Sequence, residues 1–112
     1  MKQYHYTKIE NETVPEPANK VKIRWLINEK QNAPNFSMRR FEIAPGGNTP
    51  YHTHDWEHEV YVLSGNALIK TKDGEVALKQ GDVILVESNE EHNFINNSEE
   101  DFVFLCMIPI QK

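Results

Sequence analysis

Apolar residues along this chain recur in short runs or in strict alternation, and almost nowhere at the three-and-four spacing of a helix face. VKIRWLIN, residues 21–28, sets Val21, Ile23, Trp25 and Ile27 against Lys22 and Arg24, as a strand with one buried face does. NFSMRRFEI, residues 35–43, predicts a second strand ending at Ala44-Pro45-Gly46-Gly47. From Tyr51 to Ser64 the pattern predicts a strand with a break around Asp55-Trp56, turning out at Gly65-Asn66. NALIKTK and EVALKQ read as a hairpin joined at Asp73-Gly74. Past Gly81-Asp82 come the run VILVE, the polar corner SNEE, the segment HNFIN, a polar turn from Asn97 to Asp101 and the closing strand FVFLCMIPI.

Roughly nine to eleven short strands without a helix predict an all-β barrel or jelly roll, since closing the sheet removes exposed edges. Residues 1–20 carry Pro15, Pro17 and Asn19 and few positions that look buried, so they are expected to form an extended arm that could pair as a swapped strand. Residues 21–112 are expected to be a single barrel domain, with no repeat and no interdomain linker. Composition changes the picture by exclusion. A net charge of −5 and 38% apolar residues describe a folded chain without the basic surface that nucleic acid or anionic lipid requires. The N-terminal stretch holds no apolar core of signal-peptide length and no later run approaches a membrane span, so a cytoplasmic protein with no membrane partner is expected. The lone Cys106 has no partner for an intramolecular disulfide; it reads as core packing or as a cavity-facing thiol.

The chemistry concentrates in histidine. His52, His54 and His58 lie in one cluster, and His92 follows the polar corner after VILVE. On a strand, residues i and i+2 share a face, so His52 and His54 present rings about 6–7 Å apart along the chain and can share one ion. His58 keeps that parity across the break. A single histidine on a strand is usually a hydrogen-bonded residue, but four in two clusters point to a transition metal. His5, alone in the polar arm, is expected to face solvent.

These residues resemble the cupin superfamily. Its first motif is a glycine, an HxH pair, a glutamate three or four residues on, and a closing glycine; Gly46, His52, His54 and Gly65 fall in register. His58 occupies the glutamate position, and the spacing to Gly65 favours it over Glu59. In the second motif Gly81, His92 and Asn96 are in register, with Glu87 at the usual proline and Asn89 at the second glycine, where asparagine best tolerates a left-handed backbone. The string HTHDWEHEVYVLSG looks like that of small bacterial cupins with an all-histidine site, some of which bind manganese. The resemblance implies the double-stranded β-helix fold and one divalent transition metal per chain on His52, His54, His58 and His92. Manganese or iron is favoured, with zinc, nickel and copper open. It also implies a homodimer, which the two apolar faces of FVFLCMIPI favour as well.

Four neutral imidazoles would leave an ion its full charge and room for exchangeable ligands. Expected wall residues of a small-molecule pocket are Phe36, Arg39, Phe94, Phe104 and Cys106, with Met38, Phe41 and Met107 as further apolar candidates and Arg40 and Tyr61 as polar ones. A metal-dependent dioxygenase or related oxidoreductase acting on a small organic molecule is the first functional expectation. A non-catalytic metal or ligand-binding module is the second. A sugar-phosphate isomerase, which would want basic residues beside the ion, is the third.

Overall fold

The computed structural model describes residues 1–111; Lys112, the last residue of the expected barrel, lies outside them. Nine strands form: β1 (Glu12–Thr13), β2 (Asn19–Ile27), β3 (Phe36–Asn48), β4 (His58–Ser64), β5 (Asn66–Thr71), β6 (Gly74–Lys79), β7 (Val83–Val86), β8 (His92–Ile95) and β9 (Phe102–Pro109). The only helical pieces among the described residues are two three-residue 3-10 turns, Tyr6–Lys8 and Glu29–Gln31. All paired strands run antiparallel in one curled sheet of order β6-β5-β8-β3-β9-β4-β7, with β2 on the other edge of β3 and β1 on β2. This is the all-β jelly-roll architecture the pattern predicts, and it has the double-stranded form the resemblance implies. Hydrogen bonding does not close it completely, because β6 and β7 remain edges, and four-residue β7 is the kind of short strand that limits edge pairing.

Several elements differ from the sequence reading. β3 does not stop at Ala44 but runs through Pro45, Gly46 and Gly47 to Asn48, pairing with β2, then β9, and touching β8 at Asn48↔Ile95. Its length carries the chain from one end of the sheet to the other and delivers the histidine loop there. In β2 a register shift between Trp25 and Ile27 reverses the alternation, so Leu26 is buried and Ile27 is 40% exposed. The β5–β6 turn sits one residue early, on Lys72-Asp73, with Gly74 opening β6 opposite Thr71. The N-terminal segment packs on its own barrel: β1 pairs with β2, Ala18 is buried and Val14 lies against the core.

Inside the curl, alternate residues of the central strands interdigitate. Ile43 on β3, Val60 and Val62 on β4, and Phe102, Phe104, Cys106 and Ile108 on β9 are all buried in this core, whereas Leu105 and Met107 face outward and are half-buried; Val103, of the same parity, is buried outside the core cluster. Phe104 stacks on Phe94 at 4.6 Å and on Phe41 at 5.1 Å between ring centroids, forming an aromatic wall from β8 to β3. Gly65 closes the β4–β5 corner at φ +87°, and a side-chain carbon there would meet the Asp101 carbonyl oxygen at 2.3 Å, so nothing larger fits. No helix among the described residues is long and apolar enough to cross a membrane.

Candidate metal centre

Two backbone features bring the histidines together. His52 and His92 form an isolated antiparallel bridge, each amide donating to the other's carbonyl at 3.1 and 3.0 Å, which places both side chains on one face. Asn89 adopts the left-handed conformation expected of it, at φ +65°, and its amide donates to the His54 carbonyl at 2.7 Å. The loop between β7 and β8 thereby grips the first histidine cluster, and His58 enters from the other side as the first residue of β4.

His52, His54 and His92 each present a ring nitrogen within 4.8 Å of the others, the spacing of groups that can share an ion. The expected fourth ligand, His58, lies outside that triangle. Its ring lies flat on His54 at 4.2 Å with a 6° tilt, and Trp56 covers the opposite face of His54 at 4.6 Å and 5°. Ring stacking and a contact between His58 Nδ1 and Cys106 Sγ at 3.2 Å hold it there.

The rings are fixed by what their Nδ1 atoms touch. His54 Nδ1 lies 2.9 Å from the Trp56 carbonyl oxygen, and His92 Nδ1 lies 2.8 Å from that of Glu90. A carbonyl only accepts, so Nδ1 carries the proton in both rings and Nε2 presents a lone pair. His54 Nε2 and His58 Nε2 are buried with no hydrogen-bond partner among the described residues. An orphaned buried nitrogen costs about 1–3 kcal/mol, so the donor set fits a metal ion that would satisfy them. Burial favours the neutral, ligating form of three of the rings: it lowers the pKa of His52 and His92, and burial followed by the Arg39 charge pushes His58 down to about 3.

A cavity of about 550 Å³ opens beside these rings. Of the expected wall residues, Arg39, Phe94, Phe104 and Cys106 line it, and so does Phe41. Phe36 does not. It is 71% exposed on the outer face, because Ser37 takes the inward parity of β3 opposite Ile108. The same alternation turns Met38, Arg40, Tyr61 and Met107 outward; Arg40 pairs with Glu42 at 3.3 Å and lies over the Tyr6 ring. His5 is exposed and caps the first 3-10 turn.

Sequence reasoning missed Trp25, Trp56, Thr49 and the Val14-Pro15 segment, all of which line the cavity. The inward parity of Trp25 was legible in the alternation of β2. The contribution of Val14-Pro15 was not, since it depends on the arm folding back over its own barrel.

Comparison with known proteins agrees with this architecture. The cupin domain family matches residues 39–108. An oxalate-binding protein of Thermotoga maritima is 33% identical over 70 residues, 62% of this chain and 58% of that protein. A 1-methylthio-D-xylulose 5-phosphate methylsulfurylase of Rhodospirillum rubrum is 27% identical over 75 residues, 67% of this chain and 48% of that one. The chain thus spans about half the length of the curated relatives it matches. Among solved structures, the polyketide cyclase RemF of Streptomyces resistomycificus superposes with a TM-score of 0.94 at 34% identity, over 99% of this chain and 80% of that one. A sugar phosphate isomerase from Silicibacter pomeroyi shares the fold, with a TM-score of 0.85 at 15% identity over 98% and 76% of the two chains.

Proposed function

The chain belongs to the cupin family, and from that premise we propose that it is a metal-dependent enzyme acting on a small, largely apolar carbonyl compound held inside the barrel. The observation that carries this reading is the triangle of His52, His54 and His92 at one side of a cavity large enough for a small organic molecule. His58 is proposed as the fourth ligand, because its buried Nε2 lacks any other partner. Manganese or iron remains the favoured ion, with zinc, nickel and copper as alternatives that availability could supply.

When bound, the ion would act as a Lewis acid on a substrate carbonyl or enol oxygen. The protein's own part is to hold and to exclude. The Trp56 and Glu90 carbonyls fix the tautomers of His54 and His92. Phe41, Phe94 and Phe104 present flat apolar surface to the body of the substrate and keep water from its reacting carbons. Exposed Glu12 is the sole carboxylate residue lining the cavity among the described residues, so carboxylate general-base catalysis from the walls has little support.

The likeness to a polyketide cyclase at 34% identity supports a redox-neutral ring closure or enolisation of a polyketone-like compound. A dioxygenase-like oxidation is the second reading, supported by a histidine cluster that would leave an ion positions for exchangeable ligands. A phosphate-bearing sugar substrate has less support, since Arg39 is the one Lys or Arg lining the cavity among the described residues.

The test begins with elemental analysis of dialysed protein. His52→Ala, His54→Ala and His92→Ala should lose the ion, His58→Ala should weaken its retention, and His5→Ala should keep it. Manganese, iron and zinc forms are then incubated with diketones, triketones and catechols while oxygen uptake and product masses are followed. Conversion without oxygen uptake by the zinc form supports the carbonyl reading, and oxygen uptake confined to redox-active forms supports the oxidase reading. Metal retention without turnover in any form makes the protein a binding module.

A further inference from the structure

Two adjacent arginines on β3 meet different environments. Arg40 faces outward and has its carboxylate in Glu42. Arg39 faces inward and has none among the described residues. Its guanidinium carbon lies 5.0 Å from the Phe41 ring centre and 5.5 Å from that of Trp25. Nη2 donates to Cys106 Sγ at 2.9 Å, and Nε is buried with no partner among the described residues. A guanidinium carries five N–H donors in a planar fork, and a thiol sulfur is a weak acceptor. Among the described residues, the rest of the cavity offers little to balance the charge: aromatic faces, imidazole rings, and Glu12 exposed to solvent. A half-buried guanidinium with its Nε shut from solvent and no anionic partner among the described residues is a site that an anionic group would complete.

We infer that Arg39 is a ligand-binding residue that takes a carboxylate, so the compound bound in this cavity is an organic acid with an aromatic or extended apolar body. The inference rests on the reading of the cavity as a substrate chamber. Trp25 and Phe41 would flank the anion while the guanidinium fork meets its two oxygens, the geometry in which arginine surpasses lysine. Cys106 keeps the fork in place from behind. The same sulfur contacts His58 Nδ1 at 3.2 Å, so the anion would be seated a short molecular span from the histidine cluster.

The experiment is calorimetric titration of 2-naphthoate and its neutral counterpart 2-naphthamide into metal-free and zinc-loaded protein, with zinc content measured on the same samples. Wild-type protein should bind the acid about tenfold more tightly than the amide in both forms. Arg39→Gln should bring the acid down to the amide's affinity and leave the amide unchanged. Arg39→Lys should keep only part of the preference. Far-UV circular dichroism of each variant shows whether the barrel is intact, and the wild-type comparison decides even if a variant misfolds. Equal affinity for acid and amide in wild-type protein overturns the inference. So does a preference that survives Arg39→Gln and appears only with zinc, which would mean that the ion takes the carboxylate. If neither compound binds any form, the chamber reading and the inference fall together. If zinc is not retained while metal-free protein still prefers the acid, the metal reading fails and the role of Arg39 stands.

Discussion

Replacing Asn96 with Ala tests how the fold delivers its histidine loop. Asn96 is 0% exposed and uses its whole side chain: Nδ2 donates to the carbonyls of Ile43 and Glu100, both at 2.8 Å, and Oδ1 accepts from the Ser98 amide at 2.9 Å and hydroxyl at 2.7 Å. Its backbone also exchanges hydrogen bonds with Gly46 and Gly47, so it ties the turn before β9 to the bend that leads toward His52. Four bonds at roughly 1 kcal/mol each set the upper scale. The Ser98 and Glu100 partners lie near the surface and can recover water, whereas the Ile43 carbonyl cannot, which brings the expected cost to about 3 kcal/mol. For a domain of this size that is a fall in Tm of at least about 12 °C, with a matching drop in the urea midpoint at unchanged slope. Asn96→Asp sharpens the test. It keeps the shape and the bonds from Ser98 but turns carboxylate oxygen toward two carbonyls, so it should be at least as damaging at neutral pH. A loss under about 0.5 kcal/mol for Asn96→Ala, the range of ordinary surface changes, would refute this account of the loop.

Cys106→Ala should remove the sulfur that holds both Arg39 and the His58 ring, and weaken metal retention by about tenfold or more in competition with a chelator, while saturating metal still restores full stoichiometry; unchanged affinity would mean that the sulfur does not orient the site. A homodimer is proposed through the outer face where Tyr61, Val83 and Leu85 are exposed beside half-buried Leu105 and Met107. Sedimentation at about 10 µM should give the mass of two chains for the wild type, and Val83→Lys with Leu85→Lys should give one; a single-chain mass for the wild type would refute it.

How much of this was written in the sequence depends on the range of the interaction involved. Alternation within a strand is local, so Val21 and Ile23 could be read directly; the clustering of the histidines was legible too, although the strand expected from Tyr51 begins only at His58 and His52 is held by an isolated bridge. The left-handed turn at Asn89 was legible too, because few residues other than glycine accept that backbone. The register shift in β2 was not, since a bulge answers to the partner strand, and it exchanged the roles of Leu26 and Ile27. Phe36 was placed in the pocket on its chemistry, although the buried parity of β3 belongs to Ser37, Arg39, Phe41 and Ile43. The position of His58 needed three dimensions. Spacing brings it to the cluster, but a ring stack and a sulfur 48 positions further along the chain, across the sheet, decide where its nitrogens lie.

The reciprocal backbone bridge between His52 and His92 joins two loops separated by forty positions (92 − 52). No contiguous peptide holds both halves of the cluster in place, so the site has no local precursor and comes into being only when distant strands have docked. An ion held there would behave as a removable cross-link. Its effect would fall on the rate at which the barrel opens rather than on the rate at which the chain first collapses, because the loop it clasps must already be closed before it can bind.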